Sequence, residues 1–328
     1  MSTKTKTVII KENGGPEKMK WEDIELEAPL SGQVTLKHSF VGLNFIDTYH
    51  RSGLYPLPLP TRIGMEGAGE IIKIASDVSD FKIGDKVAYV MALGSYSSHR
   101  NIEASKLIKI PDNISSQQAA AILLKGMTVE YLLERLFKVD KNHTVLFHAI
   151  AGGVGLLACQ WLKSIGAKII GTAGTEEKAE LAKNNGCDEI ILYKKDNFVT
   201  KVKELTNNVG VDVVYDGVGK DTAIQGLDCL KPLGTMVVFG NSSGNCPPID
   251  PGLLAAKGSL FFTRPTLMTY GTKKEDLIKS SNRVFEMLSS GKIKLLINQS
   301  YNLSDVVDAH SDLELRKTVG SIVMKNNY

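Results

Sequence analysis

Between residues 144 and 161 the sequence TVLFHAIAGGVGLLACQW passes from an apolar run into a helical one through a cluster of small residues, and few features restrict a fold more. Thr144, Val145, Leu146 and Phe147 read as a buried strand, while Val154, Leu157, Ala158, Trp161 and Leu162 recur at helical spacing. Between them, Gly152 allows a tight turn, Gly153 and Val154 bring backbone N–H groups close to a ligand, and Gly155 lets the new helix pack against the sheet. Free N–H groups and the dipole at a helix start favour negative charge, so the stretch reads as a cradle for a diphosphate.

The residues downstream extend the pattern. AKIIGTAG precedes TEEKAELAKNNG, DEIILY precedes FVTKVKELTNN, VDVVYDGVG precedes DTAIQGLDCL, and GTMVVFG precedes SLFFTRP. Apolar β-branched runs alternating with amphipathic helices specify a doubly wound parallel sheet, which places a Rossmann domain over residues 125–265. Residues 1–124 differ in texture: short alternating segments punctuated by Gly and Pro predict an antiparallel β domain. Ser115, Ser116, Gln117 and Gln118 offer a capping box for a helix through 119–124, and a second helix is predicted over 129–138. After Pro265 come an amphipathic helix near 274–289, the segment KIKLLINQSYNL, a helix opened by Ser304 and a last strand GSIVMK. These pieces are too small to bury a core of their own, so 266–328 is expected to return to the N-terminal β domain.

A chain of 328 residues suits two domains, and its net charge of +3 is spread over many helices. No basic-aromatic stripe argues for nucleic acid, and no apolar run approaches a membrane span, so a cytoplasmic protein is expected. Cys159, Cys187, Cys229 and Cys246 lack metal-ligand spacing and read as reduced thiols. The six histidines are scattered without a Ser, Cys or metal partner at telling spacing.

On its motifs the chain resembles the zinc-independent quinone oxidoreductase (zeta-crystallin-like) branch of the medium-chain dehydrogenase/reductase family. The motifs are VGLNFIDTYHRSGLYP (41–56), GMEGAGEI (64–71), ALGSYSSHRNI (92–102), LLKGMTVEYLL (123–133), AGGVGLLACQW (151–161), VVYDGVGKDT (213–222) and FGNSSG (239–244). The resemblance implies an α/β chain with a GroES-like β-rich catalytic domain and a Rossmann domain. Zinc-dependent members carry a His before the Glu of a GHE motif; here Met65 precedes Glu66, and the other ligand cysteines are missing. No metal is therefore expected, which suits an electron-poor acceptor such as a quinone or conjugated enone.

The second strand of the Rossmann pattern ends in Gly171-Thr172-Ala173-Gly174-Thr175, with no acid to accept bonds from a ribose 2′-hydroxyl, and Lys178 follows one turn later. That turn favours NADPH over NADH, with Lys178 read either as a 2′-phosphate ligand or as a solvated helix lysine. The resemblance implies that Tyr193 and Arg316 lie near the adenosine phosphate, and that Gly217, Phe239, Gly240, Asn241 and Ser242 run along the cofactor. It further implies that Asn44, Tyr49, Tyr55, Thr128 and Tyr131 border the nicotinamide end, with Arg264 and Pro265 beyond. A tyrosine hydroxyl or the Asn44 amide is the candidate donor to a developing oxyanion, against structural alternatives: Tyr55 packed on its prolines, Asn44 bonded in a turn, Asp47 holding a loop, Glu66 a remnant of a lost metal site. No dedicated acid–base residue stands out. The expected activity is NADPH-dependent quinone reduction, the alternative is reduction of alkenals or enones, and a non-catalytic NADPH-binding or RNA-binding role is a third reading. The segment SLFFTRP is the expected pairing edge of a homodimer.

Overall fold

A strand that is apolar on both faces is hidden from water only in a sheet covered on either side, which is why such strands run parallel with helices between them. The computed structural model, which describes residues 2–328, carries that sheet in a unit formed by Thr128–Tyr270 and Ser290–Lys294. Its strands are β8 (Thr144–Phe147), β9 (Lys168–Ala173), β10 (Glu189–Leu192), β11 (Val211–Asp216), β12 (Leu230–Val238) and β13 (Phe261–Thr263). They lie in the order β10-β9-β8-β11-β12-β13, every pairing parallel. Val145, Leu146, Ile169, Ile170, Val213, Val214, Met236 and Val237 are all fully buried in it. The connecting helices begin and end where the local chemistry dictates. Thr175 Oγ1 accepts from Lys178 N at 3.3 Å to open Glu176–Asn184, and Asn197 Oδ1 accepts from Thr200 N at 3.1 Å to open Phe198–Leu205. Gly166, at φ 90°, closes Gly153–Ile165.

The other unit comprises residues through Met127, Gly271–Ser289 and Leu295–Tyr328. In the described residues, β1 (Thr3–Ile9) and β2 (Lys20–Leu26) form an antiparallel pair. A seven-stranded sheet follows the order β14-β15-β3-β4-β5-β7, with β6 paired to β3. These strands are β3 (Gln33–Leu43), β4 (Glu66–Ile74), β5 (Lys86–Val90), β6 (His99–Glu103), β7 (Ile108–Lys109), β14 (Ile297–Asn302) and β15 (Ser321–Lys325). All its pairings are antiparallel except β14 with β15, and β15 meets β3 with Ile322 opposite Leu43. One core of this unit joins Val8, Ile10, Val41, Leu43 and Ile63 to Leu303, Val306 and Ala309, so sequence-distant ends of the chain share it.

One predicted break is absent. In place of two helices over 119–124 and 129–138, a single helix Ser116–Glu130 runs on into a widened π-helical turn, Tyr131–Leu136. The capping box at its start is present, with Ser115 Oγ accepting from Gln118 N at 3.1 Å and Gln118 Oε1 accepting from Ser115 N at 2.9 Å. Gly126 stands between the two expected helices. A side chain there would stand 2.6 Å from Val284 Cγ1, so this glycine serves close packing of the helix Lys274–Ser289 and does not end its own.

Candidate functional site

The glycine-rich turn leaves the carboxyl end of β8 and enters the helix Gly153–Ile165. Gly155 behaves as its position requires: a Cβ there would stand 2.5 Å from both Ala149 O and Ile150 O. Gly152 does not. Its φ of −75° and ψ of 174° are open to any residue, and the left-handed residue of the turn is Ala149, at φ 54°. The strain is held by neighbours, since Ala149 N donates to Thr172 Oγ1 at 3.2 Å, Ile150 N to Thr172 O at 3.1 Å, and Gly152 N to Ala149 O at 2.9 Å. The first helical bond is Leu156 N to Gly152 O, and Gly152 has no side chain to cap the amides of Gly153, Val154 and Gly155. A helix start of this kind attracts an anion.

The next βα turn, at the end of β9, is small and carries no acid at its tip. A Cβ on Gly174 would stand 2.7 Å from the Tyr193 hydroxyl, so the glycine makes room for the half-exposed tyrosine. Thr175, Glu176 and Glu177 are exposed and Lys178 is half-buried. Glu176 is held by Lys195 at 2.6 Å, which draws one of the two acids flanking Lys178 into a pair of its own. Beyond β11 and β12 two loops interlock. Phe239 packs where a Cβ on Gly217 would be, at 3.0 Å, Ser242 N donates to Gly217 O at 3.2 Å, and a Cβ on Gly240 would meet Gly217 O at 2.6 Å. Asn241 is buried beside them. The lock is Asp216, which sequence reasoning missed: fully buried, it accepts from Val218 N at 2.6 Å, Gly219 N at 3.1 Å and Thr222 Oγ1 at 2.7 Å. An Asp-Gly step directly after an apolar strand was the available signal. These turns all follow the carboxyl ends of parallel strands, where open sheets bind ligands.

Elsewhere in the same unit, Thr128 is buried, and the Tyr131 ring stacks on Tyr270 with centroids 4.5 Å apart. Arg264, exposed just past β13, donates from Nη1 to the carbonyl of buried Pro265 at 2.9 Å.

In the other unit, Asn44 caps the helix Phe45–Ser52. Its amide Nδ2 donates to Glu66 Oε2 at 2.9 Å and its backbone N to Asp47 Oδ2 at 3.0 Å. Glu66 Oε1 accepts from Leu124 N at 2.7 Å, and Lys125 Nζ lies 3.9 Å from Oε2. Burial raises the pKa of Glu66 against the opposing charge of Lys125, and burial raises that of Asp47 to about 7. Asp47 Oδ2 also accepts from Tyr96 at 2.8 Å. His310 Nε2 lies 3.1 Å from the Tyr96 hydroxyl, His310 Nδ1 is 3.0 Å from Arg51, and Arg51 pairs with Glu314 at 2.6 Å. Burial first, then Arg51, lowers His310 to about 3, so it is neutral at ordinary pH. Tyr49 and Tyr55 meet edge to face at 5.1 Å. Arg316 is exposed and left-handed at φ 59°. Lys125, Tyr96 and Arg51 were not singled out from sequence, because nothing in their local spacing ties them together.

Residues 30–112 match the family model described as the alcohol dehydrogenase GroES-like domain, and residues 153–279 the one described as zinc-binding dehydrogenase. A quinone oxidoreductase of Pseudomonas aeruginosa is 45% identical, covering 95% of this chain and 96% of that protein. The Escherichia coli quinone oxidoreductase complexed with NADPH matches with a TM-score of 0.95 at 45% identity, over 98% of this chain and 99% of that one. The chain belongs to the quinone oxidoreductase branch of the medium-chain dehydrogenase/reductase family. A 2-haloacrylate reductase of Burkholderia sp is more distant, at 39% identity over 96% of this chain and 97% of that protein. Like others of this family, the protein joins a GroES-like domain to a Rossmann-type parallel sheet. Where zinc-dependent members of the medium-chain family place a histidine, it has buried Met65, and among the described residues no group of three His, Cys, Asp or Glu side chains is arranged to hold a metal ion.

Proposed function

We propose that the protein is an NADPH-dependent, metal-independent quinone reductase. The observation that carries this reading is the full-length similarity to quinone oxidoreductases, one of them solved with NADPH. The residues present fit that cofactor. The uncapped start of Gly153–Ile165 suits the diphosphate, with Gly152, Gly153 and Val154 as its backbone ligands. The acid-free turn suits the 2′-phosphate, with Gly174 and Thr175 giving room and Lys178, Tyr193 and Arg316 supplying donors. Gly217, Phe239, Gly240, Asn241 and Ser242 then follow the cofactor along the strand ends, and Thr128, Tyr131, Arg264, Pro265 and Asn44 complete its ligands.

NADPH supplies the hydride, and the protein orients acceptor and cofactor and stabilises charge on the acceptor oxygen. Asn44 is suited to this because Glu66 fixes its amide plane through one Nδ2 N–H, leaving the second N–H to donate to the acceptor. The hydroxyls of Tyr49 and Tyr55 are the other donors. Asp47 is tied to Tyr96 and to the Asn44 backbone, so it acts as a positioning residue. A hydroquinone anion takes its proton from water, so no dedicated acid is required.

A second reading, reduction of enones or alkenals, is favoured by one observation, the similarity to 2-haloacrylate reductase. NADPH oxidation followed in the presence of a chelator, with benzoquinone, a naphthoquinone and a simple enone as parallel acceptors, decides between them. Chelator-resistant turnover of quinones is expected; turnover of the enone alone would transfer the assignment, and tight NADPH binding without turnover would sink both.

We further propose a homodimer and a reducing compartment. β13 is the edge strand of its sheet and exposes 61% of Phe261, which suits pairing with a second copy; sedimentation velocity should give the dimer mass. The four cysteines are all free thiols, and no described helix is long and apolar enough to cross a membrane.

A further inference from the structure

Buried cations in this chain are matched by acids, Arg51 by Glu314 and Lys125 by Glu66. Arg62 and Arg100 are not. They flank Gly94: a Cβ built there would stand 3.7 Å from Arg62 Cδ and 3.8 Å from Arg100 Cζ. Arg100 is held in place without being neutralised. Its guanidinium lies 4.9 Å from the centre of the Tyr89 ring and donates from Nη1 to the Tyr89 hydroxyl at 3.1 Å and Ala92 O at 3.0 Å. Its Nε is buried with no acceptor. Arg62 is half-buried, and among the described residues neither arginine forms an ion pair with a carboxylate. Burial first, and then the charge of Arg100, lowers the pKa of Arg62 below the usual arginine range. Beside Arg62 opens a cavity of about 350 Å³ lined by Ile9, Pro60, Thr61 and Leu93.

A held guanidinium with a second arginine beside it, neither paired to a carboxylate, is a recognition element for a doubly charged oxyanion, since each offers a planar fork of donors. A carboxylate would neutralise one of them; a phosphate dianion neutralises both. The open groove beside Arg62 presents the apolar side chains of Ile9, Pro60 and Leu93 next to Thr61, and apolar side chains of this kind bind the body of a ligand while a few polar groups orient its head. We propose that Arg62 and Arg100 form a binding site for a small phosphate monoester, with its phosphate on the two guanidinium groups and its apolar substituent against Ile9, Pro60 and Leu93.

The test is calorimetric titration of the full-length protein, with NADPH saturating so that its own phosphate sites are filled, using phenyl phosphate, inorganic phosphate and benzoate. Phenyl phosphate should bind saturably and several-fold more tightly than either of the others. Arg62→Met, which removes a side chain with no partner to orphan, should weaken it by at least about tenfold, and Arg62→Lys should recover part of the loss. NADPH affinity of Arg62→Met serves as the control for folding and should equal wild type. Absence of saturable binding by wild type, or equal binding by Arg62→Met, would overturn the site. Preference for inorganic phosphate would overturn the role of the cavity.

Discussion

The two units bury polar groups in opposite ways. In the parallel-sheet unit, apart from Thr128 and Glu130 on its entering helix, the buried polar residues His148, Thr172, Asp216 and Asn241 lie on the last residues of strands or just past them, and the interior behind them is aliphatic and aromatic. In the other unit Asp47, Arg51, Glu66, Tyr96, Lys125 and His310 lie deep in the interior and bond to one another. One unit presents backbone amides at strand ends over an apolar scaffold; the other positions a few side chains with buried charge. Substitutions that violate spacing should therefore damage the first, and substitutions that remove a single charge should damage the second.

The largest expected effect on cofactor affinity is on the backbone side of that contrast. Gly155→Val places atoms against two carbonyl oxygens already 2.5 Å from a bare Cβ. It should lower NADPH affinity at least about a hundredfold, roughly 2.7 kcal/mol, in a fluorescence titration. Near-normal binding would mean that the cradle does not depend on close approach. Next, Lys125→Met leaves Glu66 buried without its cation. Loss of about 3–5 kcal/mol in urea denaturation is expected, with much of it recovered in Lys125→Met/Glu66→Gln. A single variant within about 1 kcal/mol of wild type would break the charge-web side of the comparison.

Lys178→Ala should raise the Kd for NADPH roughly tenfold, consistent with about 1.5 kcal/mol for a bond to a charged group, and leave NADH unchanged. An equal loss for both cofactors would show that Lys178 is not a 2′-phosphate ligand.

Acidification offers a finer probe of the charged interior. Burial holds His38 and His310 at about 3, below the ordinary 6.5, so between those values the unfolded chain binds protons that the native protein refuses. Their contribution is complete above pH 6.5 and is lost as the pH falls toward 3. Asp47 acts in the other direction: with its pKa raised to about 7, the native protein holds a proton that the unfolded chain releases above 3.8, so its contribution declines as pH rises through 7. The slope of stability against pH between 4 and 6.5 should therefore flatten by about one proton in His310→Gln and steepen in Asp47→Asn. Unchanged slopes would place these groups in contact with water. The smallest effect belongs to Ala149→Gly, which relieves a left-handed alanine and should shift stability by less than about 1 kcal/mol.

Legibility in the sequence divides along the same line. Strand–turn–helix periodicity and the glycine cluster are local signals, so the parallel sheet, the glycine-rich turn into Gly153–Ile165 and the helix Lys274–Ser289 could be read directly. Gly126 and Gly152 show the limit. A glycine demanded by a neighbouring side chain looks in sequence like one demanded by φ, and the left-handed conformation fell instead on Ala149, held by Thr172 from the next strand. The web of Asp47, Tyr96, Arg51 and His310 had no local signature, because its members meet across as many as 259 positions and only the folded chain reveals the pairing. Asn44 was legible as a candidate; the Glu66 bond that orients it was not.

The order of the strands along the chain has a consequence for synthesis. The six-stranded parallel sheet has all its strands once residue 263 has emerged, whereas β3, made early, waits for its partner β15 at residues 321–325. At ordinary elongation rates that interval is on the order of several seconds. During it the Phe40–Leu43 end of β3 lacks the partner it will have in the finished fold, so a nascent chain stalled between those points should need protection by chaperones that the completed protein does not.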